Sequence, residues 1–331
     1  MLKISHLLLL LLAWSFVSCD MGTADSDYKF FGWKRDGSGI VVAKINYNTY
    51  PYPNYAKELL LTDQNGATIK TIQLEKAILE QAHCDRLFFA GDGSNFFAQI
   101  DDDIYLVNSN TGAETLLLAG KIFMTGSGSG KSILTMKKLS PDSIVYEIFT
   151  FENGTLRTNH STSTPKVNFS PNTAEFIADS LLVGCTFDSG KCSVTIFDTS
   201  FNIRFSTSHE QSDVSPSLAR ISNQLLYTTY SNEFYLLNLT SRNSTYIISA
   251  PQIIHSNDLS PNSDFFIYTV SDNKPNVYNR RSLYLFNIQK KSVQFITQNL
   301  SSSAQLSPDG KSIAYLVHED KDDKLHVIPV P

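Results

Sequence analysis

Helical periodicity is missing from most of this 331-residue chain: beyond the first twenty positions no stretch sustains a 3.6-residue apolar rhythm, which argues against helical layers. No apolar run is long enough to cross a bilayer and remain there; the longest, Leu7 to Leu12, is too short. Positive charge is also in short supply, with 27 Lys and Arg against 32 Asp and Glu and no basic cluster, so a nucleic-acid platform is excluded. A G-x-S-x-G nucleophile elbow occurs nowhere, which excludes the usual serine-hydrolase arrangement. The seven histidines include no pair at the i, i+2 or i, i+4 spacing of a zinc site, and no cofactor pattern is found.

What the chain has instead is aromatic residues, 21 Phe and 15 Tyr, in short alternating runs suited to pleated, half-buried strands. These runs recur. Turn residues that can reverse two strands stand at Asp36-Gly37, Asp92-Gly93, Ser129-Gly130, Pro171-Asn172, Ser222-Asn223, Pro261-Asn262 and Asp309-Gly310. A second set of anchors, Leu60, Leu106, Phe149, Ile196, Leu236, Leu285 and Val327, repeats every 40 to 49 residues. A period of this length predicts an all-β propeller of about seven four-stranded blades, with six blades as the alternative. The sixth copy predicts strands over 265–270, 282–287 and 292–296 after an innermost one, and the last copy ends with a third strand over 325–329. Either residues 21–28 supply its fourth strand and close the ring, or the final blade has three.

The N-terminus reads as an export signal: Lys3 precedes the apolar run and Ser18 supplies the small residue of a cleavage site. Phe16-Val17-Ser18-Cys19 resembles the lipobox of bacterial lipoproteins, which implies lipidation of Cys19 and attachment to a membrane of the cell envelope. Residues 1–18 are then a signal peptide, 19–27 an anchor and tether, and 28–331 the propeller. Leu306-Ser307-Pro308-Asp309-Gly310-Lys311 resembles the Ser-Pro-Asp-Gly hairpin of TolB-type propeller repeats, with echoes at Ser260-Pro261-Asn262 and Ser170-Pro171-Asn172. That resemblance implies a propeller in the cell envelope that binds partners.

Thr125-Gly126-Ser127-Gly128-Ser129-Gly130-Lys131-Ser132 approaches a phosphate-binding loop, but Thr125 stands where glycine is required and no helix is expected to follow. It aligns with the hairpin turn of the last copy and is predicted to be one. Cys185 and Cys192 flank a turn, so two strands could set their sulfurs across from each other as a disulfide, or leave two free thiols. Asp320, Asp322 and Asp323 lack the glycine and terminal glutamate of a calcium loop and read as a solvated turn.

Loops joining second and third strands must share one face of a propeller. The arc of blades six, seven, one and two there offers Tyr47, Tyr50, Tyr52 and Tyr55, then Asp101, Asp102 and Asp103, then Tyr278, Arg280 and Arg281 as a partner surface. Tyrosines stiffened by neighbouring prolines are the amphipathic contacts enriched at interfaces. The sequence therefore predicts a non-enzymatic, lipid-anchored binder of an envelope protein or glycan. The alternative is a hydrolase or lyase with its site in the central funnel.

Overall fold

The computed structural model describes residues 28–45, 55–79, 87–140, 143–163, 174–188, 191–208, 219–221, 224–229, 231–252, 254–271, 281–319 and 322–330. The predicted lipidation position Cys19, the tyrosines Tyr47, Tyr50 and Tyr52, and Tyr278 and Arg280 lie outside the described residues, as does the proposed ring-closing segment over 21–27.

The described chain is strand and turn throughout, in antiparallel ladders that follow chain order. The first sheet is β1 (Tyr28–Trp33), β2 (Gly39–Ile45), β3 (Tyr55–Asp63) and β4 (Thr68–Leu79). The second is β5 (Phe88–Phe89), β6 (Asn95–Ile100), β7 (Asp103–Asn108) and β8 (Glu114–Leu118). The third holds β9 (Ile122–Gly126), β10 (Ser132–Ser140), β11 (Ser143–Glu152) and β12 (Thr155–Ser163). The fourth holds β13 (Glu175–Ala178), β14 (Leu181–Asp188), β15 (Lys191–Asp198) and β16 (Ile203–Ser208). The fifth holds β17 (Ala219–Ile221), β18 (Gln224–Thr228), β19 (Glu233–Asn238) and β20 (Ser244–Ser249). A last sheet of six strands runs β21 (Ile254–Leu259), β22 (Phe265–Ser271), β23 (Arg281–Asn287), β24 (Ser292–Leu306), β25 (Ser312–Glu319) and β26 (Asp322–Pro329).

That six-stranded sheet is two blades joined by one strand. The 15-residue β24 pairs with β23 from Ser292 to Leu300, then with β25 from Leu300 to Leu306, with a register shift between Leu300 and Ala304. Its first half is the outer strand of the sixth blade and its second half the inner strand of the seventh. All seven repeating anchors, from Leu60 to Val327, fall on third strands. Among the described residues the seventh blade has three strands, and none pairs with the outer side of β26.

Packing closes the ring. Among the described residues seven core clusters occur, and each draws on two neighbouring blades. Six join consecutive blades; the seventh sets Ala314 and Leu316 of β25 against Phe31, Trp33, Ile40 and Val42 of the first blade. Seven seams require seven blades, which removes the six-bladed alternative. The seal between last and first blades is thus made by buried apolar side chains, each contributing about 1.5–3 kcal/mol when fully buried.

The inner hairpins explain the repeated Asp-Gly dipeptides. Gly37, Gly93, Gly130 and Gly310 all take a left-handed φ of 68–72°, and each donates its N–H to the carbonyl three residues earlier. In the sixth blade Ser263 takes the glycine's place at φ 58°. The fourth blade corrects the sequence reading: its inner turn is Asp179-Ser180, between β13 and β14, and Pro171-Asn172 precedes the strand instead of ending it. Phe176 and Ile177 decide this, because both are buried and fix β13 as the inner strand.

Candidate functional site

Antiparallel order puts the turns between first and second strands, and those between third and fourth, at one end of the axis. The loops between second and third strands gather at the other end. A cavity of about 330 Å³ opens at the first of these ends, with walls supplied by six of the seven blades. Trp33, Phe88, Phe89 and Phe176 give it ring faces, and Leu87, Leu259, Leu306, Pro261 and Pro308 add aliphatic surface. Thr125, Ser127 and Ser307 contribute hydroxyl-bearing side chains.

Three further polar side chains stand in the wall, and the chain's own backbone holds each of them. Asp258 Oδ2 accepts the N–H of Leu306 at 2.8 Å, tying the sixth blade to the seventh. Gln305 donates Nε2 to the carbonyl of Phe31 at 2.8 Å, tying the seventh to the first. Arg35 donates from Nη1 to the carbonyl of Gly91 at 3.3 Å and to that of Ser129, reaching over the turns of the second and third blades. Those two turns also meet directly, Gly91 N–H to the Gly130 carbonyl at 3.0 Å. Ser129 then donates to Asp179 of the fourth blade. The mouth is therefore ringed by turns and strand ends that are stitched together from the sixth blade round through the seventh and first to the fourth.

Thr125–Ser132 is part of that ring. It ends β9, turns, and begins β10, with Ser127 N–H donating to the Ser132 carbonyl at 2.7 Å. A strand follows where a phosphate loop needs a helix, so the hairpin reading holds.

A second concavity of about 520 Å³ lies over the seam between seventh and first blades, and shares Trp33, Arg35, Ser307 and Pro308 with the axial cavity. Its carboxylates are well defined. Asp36 Oδ1 accepts Ser38 N–H at 2.9 Å, and Asp309 Oδ1 accepts the Ser307 hydroxyl at 2.6 Å and Lys311 N–H at 3.1 Å. Hydrogen bonding to the charged form holds both below the ordinary carboxylate pKa, through Ser38 for Asp36 and through Ser307 and then Lys311 for Asp309.

The residues proposed for a partner arc are only partly within view. Tyr55 begins β3, and Arg281 begins β23 opposite Ser271 and Leu300. Asp101, Asp102 and Asp103 form the tight turn between β6 and β7, with Asp101 at φ 51°. This turn is bound to the next blade: Asp102 accepts Lys121 N–H at 2.8 Å through its carbonyl, and Asp103 Oδ1 accepts Gly120 N–H at 2.8 Å. The buried Gln99 braces it by donating Nε2 to the carbonyls of Asp101, Asp103 and Lys121.

The backbone register sets Cys185 opposite Val194 and Cys192 opposite Phe187, which are diagonal places in the ladder. One expectation changes on side-chain geometry. Asp323 is only 2% exposed and pairs with His318 Nδ1 at 3.0 Å, so its side chain is not solvated. Among the described residues no group of three or more His, Cys, Asp or Glu is placed to hold a metal ion.

No family model matches the chain, and no curated protein matches it. Solved structures do. The oligogalacturonate lyase of Vibrio parahaemolyticus is 13% identical, with a TM-score of 0.63 over 92% of this chain and 90% of that one. An oligogalacturonate lyase in complex with manganese is 14% identical, with a TM-score of 0.65 over the same shares of the two chains. Hydrazine synthase of Kuenenia stuttgartiensis is 12% identical, with a TM-score of 0.60 over 91% of this chain and 94% of that one. Likeness at this identity establishes the propeller fold and carries no activity with it.

Trp33 and Arg35 were missed by sequence reasoning, although the signal was present. Both adjoin the first Asp-Gly turn, and turns that count the blades must also ring the axis.

Proposed function

We propose that this chain is an exported β-propeller, tethered to a bacterial envelope membrane through a lipidated Cys19, that binds an envelope protein or glycan without transforming it. One observation carries the reading: the axial cavity is walled by aromatic rings, aliphatic side chains and hydroxyls, and its two charged groups, Arg35 and Asp258, are each anchored by main-chain partners. Acid–base chemistry needs titratable groups converging on one reacting atom. A wall of this kind suits binding. Protein partners are assigned to the opposite end of the axis, the end that carries the Asp101–Asp103 turn, and the tyrosine-rich segment with Tyr50 and Tyr52 is the first candidate to test.

Crosslinked capture from intact envelopes tests the reading. The expected result is a discrete partner recovered by the native chain and lost from Tyr50→Ala/Tyr52→Ala, with labelled palmitate incorporated by the native chain and absent from Cys19→Ser. Equal recovery by the double variant sinks the tyrosine surface, and labelling that survives in Cys19→Ser sinks the anchor. A second reading places a lyase or hydrolase in the funnel, because Asp258 and Arg35 border the same cavity. Turnover of an oligogalacturonate by the native chain, abolished in Asp258→Asn, would replace the binding role.

A further inference from the structure

The axial cavity and the concavity over the closing seam are one groove, since Trp33, Arg35, Ser307 and Pro308 belong to both. Its two ends differ in chemistry. The inner end is lined by ring faces; the outer end presents planar polar groups, the guanidinium of Arg35, the carboxylates of Asp36 and Asp309, and the amides of Gln64 and Asn65, beside the ammonium of Lys311. Several of these groups have capacity to spare. Asp36 commits Oδ1 to its own turn, Arg35 commits Nη1 alone, and the side-chain amides of Gln64 and Asn65 have no partner among the described residues. The indole Nε1–H of Trp33, in the wall common to both ends, is buried and has no acceptor among the described residues.

We infer that this groove binds a neutral saccharide chain, a proposal that rests on the binding role argued above. A sugar ring has an apolar C–H face that lies on aromatic rings, and a rim of hydroxyls that both donate and accept. Neighbouring hydroxyl pairs match the two-atom edges of carboxylates, amides and guanidinium groups. The outer end carries two cations, Arg35 and Lys311, and two carboxylates, Asp36 and Asp309, so its charge is balanced. A uronate chain would meet both carboxylates and an amine-bearing chain both cations. A peptide that adds as a strand would need an open sheet edge, and this groove is walled by turns and side chains; a proline-rich peptide needs no such edge and is the competitor tested below. The two volumes, about 330 and 520 Å³, fall in the range of small-ligand sites, about 300–1,000 Å³.

The chain offers its own reporter. It has two tryptophans, Trp14 and Trp33, and Trp14 falls within the predicted signal peptide, so selectively excited tryptophan emission of the processed protein would come from the groove alone. The processed full chain, in detergent, is titrated with a panel of neutral hexasaccharides of different linkage, with a hexauronate, and with a proline-rich hexapeptide. The expected result is a saturable shift in tryptophan emission with at least one neutral hexasaccharide. Gln64→Ala/Asn65→Ala should weaken it at least tenfold with the thermal midpoint unchanged, and Asp36→Ala should do the same with a midpoint lowered only by the loss of its hydrogen bond from Ser38. No saturable shift with any neutral sugar, a response to the uronate or the peptide alone, or affinity unaltered in both variants would overturn the proposal. Peptide or protein binding without sugar binding would sink this inference and leave the broader binding role standing. Shortened or unsaturated sugars found by mass spectrometry would sink the non-enzymatic role and leave sugar recognition standing.

Discussion

Gly130 shows how little room the turns of this ring allow. A Cβ there would lie 2.4 Å from the Phe89 carbonyl oxygen and the Ala90 carbonyl carbon, at a φ of 68°. Gly154, at φ 77°, has nothing within 4 Å of the same position. Both positions need left-handed backbone, so Gly154→Ala should cost about 1 kcal/mol of unfolding free energy. Gly130→Ala adds a backbone collision between the second and third blades and should cost about 3 kcal/mol or more. Urea unfolding of the two variants measures the difference, and equal losses would mean that the turns do not bear on each other. Asp309 makes a related prediction in pH. Its folded pKa lies below the ordinary value of 3.8, so its contribution is present above pH 4 and is lost as pH falls through and below that value. The thermal midpoint of Asp309→Asn should therefore fall less steeply on acidification than that of the native chain.

Among the elements, the fifth and sixth blades carry matching aromatic ladders. Tyr227 of β18, Tyr235 of β19 and Tyr246 of β20 lie in register, as do Tyr268, Tyr284 and Phe295 of β22, β23 and β24. The first two rings stack in each, Tyr227 on Tyr235 with centroids 5.4 Å apart and Tyr268 on Tyr284 at the same separation. Tyr315 and His326 repeat the first step in the seventh blade at 5.5 Å. Burial pushes the phenols of Tyr227 and Tyr268 up to about 12. A raised folded pKa keeps the proton on, so stability is full below pH 10 and is lost as pH rises from about 10 toward 12. Tyr227→Phe and Tyr268→Phe should each flatten that alkaline loss in thermal melts, and absorbance titration should show two phenols ionising late. Strand positions of this kind were legible in sequence because alternation and turn chemistry agree at Phe265–Val270 and Asp309-Gly310. The fourth blade's turn was not, because Pro171-Asn172 and Asp179-Ser180 are both acceptable turns and only the burial of Phe176 and Ile177 separates them. Nor could β24 be seen to serve two blades, since the register shift after Leu300 depends on partners far along the chain. The candidate site was least legible, because it is assembled from short segments of six blades far apart in the chain.

For the whole molecule, closure by packing means that the last seam should weigh as much as an interior one. Leu316 in the seal between seventh and first blades and Leu226 in the fifth–sixth seam are both fully buried. Truncation of either to alanine should cost about 2–5 kcal/mol. A much smaller loss for Leu316→Ala, measured by denaturant unfolding, would indicate a ring that opens at its join. The shared strand β24 has a different consequence, for where the polypeptide tolerates being cut. With the old ends joined by a flexible linker, new ends placed between the third and fourth blades leave every ladder whole. New ends placed near Leu300 would divide the one strand that two blades hold in common, so that permutant alone should fail to refold.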